Sequence, residues 1–198
     1  TGLGKPLKII EEPLRSDIPI YIAAIGPKNI ELTAEIADGW LPFMYSPSQG
    51  DDVFKKYLEK GFNKTSEKNK KDRFNIVATV NAKICTEEEK EENLKVARNI
   101  YTLYVGGMGA KDKNFYFNLV CDYGYEDEAH QIQELYLSGK KDQAEALFPG
   151  DLLDDLTLVG TKEEIKQKYE IWKNSNVTEL SIGLPVDIET IKYLKSLN

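Results

Sequence analysis

At 198 residues with 41% hydrophobic side chains, the chain is long enough for one globular domain with a sizeable core, and too apolar to read as a disordered segment. Its 26 Lys and Arg against 33 Asp and Glu give a net charge of −7, which argues against a nucleic-acid partner, whose phosphates need a basic surface, and against an anionic membrane. Cys85 and Cys121 lack the close spacing of a zinc site or disulfide framework, so reduced thiols in a cytoplasmic protein are expected. No apolar run approaches the ~20 residues of a membrane span, and the start does not read as a signal peptide. A first residue of Thr rather than Met points to a trimmed or partial sequence.

Residues 1–18 read as a loop punctuated by Gly2, Gly4, Pro6 and Pro13, with a short extended piece at 7–10. The apolar run from Pro19 to Ile25 predicts a strand buried on both faces, as in a parallel sheet. Gly26-Pro27-Lys28-Asn29 follows, with Pro27 where a helix takes its first residue. Ile30, Ala34 and Ala37 carry that helix to Asp38, and Gly39 stops it. Trp40 to Phe43 predicts a second strand, and Val53, Phe54, Tyr57 and Leu58 a second helix up to Gly61. Residues 63–73 form a charged surface connector.

Phe74 to Ile84 alternates and predicts a third strand. Thr86 with Glu89 is a capping-box spacing that opens a helix with Leu94, Ala97, Ile100, Tyr101 and Tyr104 on its buried stripe. The run Gly106-Gly107-Met108-Gly109 breaks it. Helices are then expected from Phe115 to Tyr123, Asp127 to Leu137 and Lys141 to Phe148, with no strand among them: a helical insertion. After a short extended or turn segment at 156–160, Thr161 and Glu164 repeat the capping box for a helix with Ile165, Tyr169 and Trp172 on its stripe. Val177 to Leu184 predicts the fourth strand and Asp187 to Leu197 the last helix.

Strands alternating with helices imply a parallel α/β sheet with right-handed crossovers. Four βα units fit either a small doubly wound domain or half of a (β/α)₈ barrel, which would carry two unpaired hydrophobic edges. In both, chemistry belongs at the C-terminal edge of the strands. The turn Ala24, Ile25, Gly26, Pro27 and Lys28 lies there. A helix start offers unpaired amides and partial positive charge to a phosphate, and Lys28 adds a cation. An ordinary βα turn with Pro at the first helical position is the alternative. Other candidates are weaker. His130 lies in a polar helix and is expected exposed, without partners for a metal. Asp122, Glu126, Asp127 and Glu128 read as a solvated helix start. Tyr101, Tyr104, Met108, Phe115 and Phe117 either wall a substrate pocket or pack the insertion onto the barrel.

The stretch from Pro19 to Phe43, strand–GPK–helix–ADGW, resembles a segment of the luciferase-like flavin and coenzyme F420 oxidoreductases. The stretches from Ile100 to Pro149 and from Leu156 to Pro185 resemble that family's F420-dependent branch and its closing helix and strand. The resemblance covers nearly the whole chain and matches the back half of the family's barrel. It implies an α/β fold that is the C-terminal half of a (β/α)₈ TIM barrel: four βα units of parallel strands, with a helical insertion before the last helix–strand unit. Residues 1–198 would form one partial domain, with a leading loop at 1–18, three βα units at 19–105, the insertion at 106–150 and a closing helix–strand–helix at 151–198. The implied function is hydride transfer between coenzyme F420 and a small organic substrate, with the coenzyme's phosphate-bearing tail near Ala24, Ile25, Gly26, Pro27 and Lys28. Catalytic residues are expected in the absent front half, so this piece alone would be inactive, and the full-length protein is expected to be a homodimer. The alternatives are an FMN-dependent monooxygenase of the same superfamily and a non-catalytic flavin-binding or dimerisation module.

Overall fold

One long strand organises the sheet. In the computed structural model, which describes residues 4, 10–12, 14–15, 17–183 and 187–198, β3 (Asn75–Ile84) pairs in parallel with three others. β1 (Tyr21–Ala23) pairs with β2 (Gly39–Leu41), and β2 with the start of β3. β4 (Thr157–Gly160) pairs with the end of β3, and β5 (Glu179–Gly183) with its middle. Asn81 is matched to both Thr157 and Gly183, so β4 and β5 lie on opposite edges of β3. The pairings run β1-β2-β3-β4, and β5 joins β3 on the edge opposite β4.

The helices are α1 (Pro27–Ile36), α2 (Gly50–Phe62), α3 (Lys70–Arg73), α4 (Glu87–Gly107), α5 (Phe115–Asp122), α6 (Glu126–Leu137), α7 (Lys141–Ala146), α8 (Gly150–Asp155), α9 (Lys162–Asn174) and α10 (Ile188–Ser196). Both capping boxes form: Thr86 and Glu89 open α4, and Thr161 and Glu164 open α9, each pairing orphan amides at the helix start. Pro27 is the first residue of α1. Gly61 lets α2 approach α1 closely, since a Cβ there would stand 2.6 Å from the Ala34 Cβ. α3 supplies one helical turn inside the charged connector, and α8 is a helix that the sequence pattern did not single out. The short extended piece expected at 7–10 lies largely outside the described residues, as does Leu184 at the end of the fourth strand.

The sheet's two faces differ. Ile76, Ala78, Val80 and Ala82 of β3 point to the helical layer and are buried, whereas Thr79 on the other face is exposed and Val77, Asn81 and Lys83 are partly so. The first strand departs from the expectation of burial on both faces: Ile20 is 61% exposed and Tyr21 is also exposed. The reason is its place at the sheet's edge, with the inner face of the sheet uncovered in this chain.

Candidate functional site

The end of β1 runs into the α1 start through the corner Ala24–Lys28, at the C-terminal edge of the parallel strands. Two features hold this corner. The Trp40 indole Nε1 donates to the Ala24 carbonyl at 2.8 Å, and Trp40 is wholly buried, edge-on to Phe54 at 4.9 Å. The Gly26 carbonyl accepts from the amides of Asn29 and Ile30, both at 3.0 Å, which starts the helix. The amides of Gly26 and Lys28 meet no protein acceptor among the described residues, leaving two donors at the positive end of α1.

The five predicted residues are not equivalent. Ala24 is buried, Ile25 is half-buried, and Pro27 and Lys28 are exposed. The Lys28 side chain is 92% exposed and stands 3.8 Å from Glu31, which also pairs with Lys64. The Lys64 hydrogen bond, followed by the nearby charge of Lys28, holds the Glu31 carboxyl below its usual range. Gly26 has φ −74°, a value any residue adopts, so its lack of a side chain serves close approach. The Phe115 ring takes that space: a Cβ on Gly26 would stand 3.1 Å from it. The corner is therefore partly roofed on the Gly26 side and open on the Lys28 side.

Beyond β2, the chain turns through Phe43, Met44, Tyr45 and Ser46. Met44 has φ +56°, a left-handed conformation that costs a non-glycine residue energy and persists where neighbours impose it. Tyr123 is that neighbour. Its hydroxyl donates to the Met44 carbonyl at 2.9 Å and accepts from the Ser46 amide at 3.2 Å. Burial pushes the Tyr123 phenol well above the usual tyrosine range, so it remains a donor. Ser46 and Ser48 both donate to Asp155, at 2.5 Å, tying the turn to α8. The Phe43 ring packs on Tyr104 at 4.5 Å and on Tyr116 at 5.8 Å. Helices α4 and α5 thus deliver aromatic side chains onto the ends of β1 and β2.

At the top of β3, the Lys83 ammonium donates to Asp187 at 2.7 Å. That bond, with the Thr190 amide as a second donor, lowers the Asp187 carboxyl to about 2. Sequence reading missed this pair, although Asp187 three residues before Thr190 is a recognisable N-cap spacing. It also missed the roles of Trp40 and Tyr123, whose partners lie 16 and 79 residues away.

The remaining candidates separate cleanly. Tyr101 is buried in the core, and Met108 is 40% exposed. His130 is exposed and lies edge-on to Phe117. Asp127 and Glu128 sit in the first turn of α6. Both cysteines are free thiols, Cys85 buried and Cys121 partly so. Among the described residues no group of three or more metal-type side chains comes together, and no helix is long and apolar enough to cross a membrane.

Comparison with known proteins places this geometry. The family model for luciferase-like monooxygenases matches residues 4–179. The chain belongs to that family. A Mycobacterium tuberculosis protein named as a coenzyme F420-dependent oxidoreductase is 36% identical over 182 residues, covering 92% of this chain and 52% of the relative. A 5,10-methylenetetrahydromethanopterin reductase of Archaeoglobus fulgidus is 23% identical over 183 residues, or 52% of its length. Among solved structures, the coenzyme F420-dependent tetrahydromethanopterin reductase of Methanopyrus kandleri superposes with a TM-score of 0.66 at 24% identity, covering 91% of this chain and 49% of that one. An F420-dependent secondary alcohol dehydrogenase, solved with an F420–acetone adduct, gives a TM-score of 0.62 at 14% identity over 48% of its chain. At such identities these structures speak for the fold alone. The chain spans about half the length of the relatives it matches. The parallel sheet with its crossover helices is half of a (β/α)₈ barrel, and the corner at 24–28 sits at the C-terminal end of its strands.

Proposed function

We propose that this chain is the coenzyme-tail half of an F420-dependent oxidoreductase that exchanges a hydride with a small organic substrate. The observation that carries this reading is the corner itself: two unpartnered amides, at Gly26 and Lys28, and an exposed ammonium at the start of α1. These groups fit an anionic phosphate, which accepts hydrogen bonds and favours the positive end of a helix. Residues 24–28 would hold the tail, with Trp40 fixing the Ala24 carbonyl so that the amides after it keep their direction. The Phe115 ring partly roofs the Gly26 side and leaves the approach past Lys28 open. When bound, the coenzyme supplies the hydride chemistry, and the protein supplies position and a water-poor environment. The names of the relatives support the choice of coenzyme.

In this reading residues 106–150 are an insertion whose helices line one side of the mouth, and the first four βα units of the barrel complete the site. The test is titration of the full-length protein with coenzyme F420, followed at the deazaflavin absorbance band. A saturable change at micromolar coenzyme is expected. No binding at that concentration overturns the reading, and co-purified yellow FMN would shift it to a flavin monooxygenase.

A further inference from the structure

The inner face of the sheet carries a second set of groups, away from the corner at 24–28. By register, Thr79 stands beside Ser181 and Asn81 beside Gly183. Lys83 follows at the C-terminal end of β3, on the same face as Thr79. The interior of a (β/α)₈ barrel is usually filled with large branched side chains. Here the upper levels carry two hydroxyls, an amide, a glycine and an ammonium. The Thr79 and Ser181 hydroxyls are exposed and bond to no other group among the described residues. Gly183 leaves the level above them without a side chain on β5. Lower down, the Tyr21 ring lies over Gly39, and the Tyr21 hydroxyl accepts from the Asn75 side-chain amide at 2.8 Å, which closes the floor. The result is a well of small polar side chains, open toward the C-terminal end of the strands.

Charge is graded along this well. Glu179 is matched to Val77 near the start of β5, and Lys83 lies six residues further up β3, or roughly 20 Å at the rise of a strand. The rim is therefore the positive end. Asp187 accepts from Lys83 at 2.7 Å, and also from the Thr190 amide at 2.8 Å and the Thr190 hydroxyl at 3.0 Å. Part of the Asp187 charge is thus taken up by the positive end of α10. The Lys83 side chain is 37% exposed, and its bond to Asp187 uses one of three ammonium donors. That bond raises the Lys83 ammonium above its usual range and keeps it charged at neutral pH. A cation braced from behind, with donors to spare above a polar well, suits the negative end of an organic molecule.

We infer that Lys83 receives the oxyanion, a carboxylate or a phosphate, of the small organic substrate, whose polar body faces Thr79 and Ser181. The inference rests on the reading of this chain as part of an F420-dependent oxidoreductase. It makes Lys83 a substrate-binding residue distinct from Lys28 at the coenzyme tail. β2 lies between β1 and β3, so strand spacing alone puts roughly 10 Å between the two cations.

The test titrates the full-length protein calorimetrically with succinate and with inorganic phosphate, with succinamide as the neutral counterpart, and measures coenzyme F420 binding on the same samples. Saturable binding of one or both oxyanions at millimolar concentration is expected, and the tighter of the two identifies the group. Lys83→Met is expected to weaken the oxyanion about tenfold and to leave the coenzyme's affinity unchanged. Lys83→Arg keeps the charge and is expected to stay within about threefold of the parent. Absence of saturable binding by either oxyanion, equal binding of succinamide, unchanged affinity in Lys83→Met, or equal losses in the two variants overturns the assignment. A parent protein that binds an oxyanion through Lys83 but does not bind coenzyme F420 overturns the coenzyme reading and leaves the oxyanion site standing.

Discussion

The two faces of β3 carry different lessons. Toward the helices, Ile76, Ala78, Val80 and Ala82 are packed to near-complete burial, and the layer is finished by α9 and its neighbours. Toward the barrel axis, Val77, Thr79, Asn81 and Lys83 alternate with them and stay partly or fully exposed. Parallel sheets are normally covered on both faces. One face of this sheet is therefore a completed core, while the other is half of an interior whose remaining strands lie in the part of the relatives that this chain does not span. Stability resides in the first face, and the corner proposed to hold the coenzyme tail lies at the upper rim of the second.

The largest effect that would break this contrast is at Trp40, which joins the two faces by being buried in the outer layer and bonded to the Ala24 carbonyl. Trp40→Ala is expected to destabilise the fold by about 3–5 kcal/mol in denaturant titration. Trp40→Phe keeps most of the bulk and loses the hydrogen bond, for about 1–3 kcal/mol. No measurable loss in Trp40→Phe would remove the indole–carbonyl bond from the account.

Next in size is a pair on β3 itself. Val80→Ala on the packed face should lower stability by about 2 kcal/mol, whereas Thr79→Ala on the open face should change it by less than about 0.5 kcal/mol in this chain alone. In a full-length barrel the Thr79 variant is expected to become the more costly of the two settings. If Thr79→Ala is already as damaging as Val80→Ala in the isolated chain, the inner face is not open.

The smallest effect is electrostatic. Lys90 donates to Glu164 at 2.7 Å, and that bond, followed by the Thr161 amide, lowers the Glu164 carboxyl from 4.5 to about 2. A depressed folded-state value means the stabilisation is fully present above pH 4.5 and is lost as the pH falls toward about 2. Glu164→Gln should flatten the stability profile in that window and leave its neutral arm close to parallel. A profile of unchanged slope would show that the pair contributes nothing measurable.

Much of this was legible in the chain's local signals. Pro27 at the first helical position and the Thr–x–x–Glu spacings at 86 and 161 mark helix starts because they act within one turn. The alternation in β3 marks a strand with two distinct faces. What escaped has a common cause, in that its determinants are distant or absent. The continuous apolar run in β1 reads as buried on both faces, and only the missing neighbour explains its exposure. α8 is a six-residue helix, too short to display a period. Trp40 and Tyr123 act through backbone carbonyls brought near by the fold. The corner at 24–28 was locatable from its residues, but the ring lying on Gly26 was not, because Phe115 arrives from 89 positions further along.

The central claim is that this corner holds the anionic tail of coenzyme F420, and charge reversal at Lys28 tests it most directly. Dissociation constants for the coenzyme and for its phosphate-free deazaflavin chromophore would be measured on the full-length protein and on its Lys28→Glu variant. The account predicts that the variant loses about tenfold in affinity for the phosphate-bearing coenzyme and nothing for the bare chromophore. Equal losses for both ligands, or no loss for either, would contradict it.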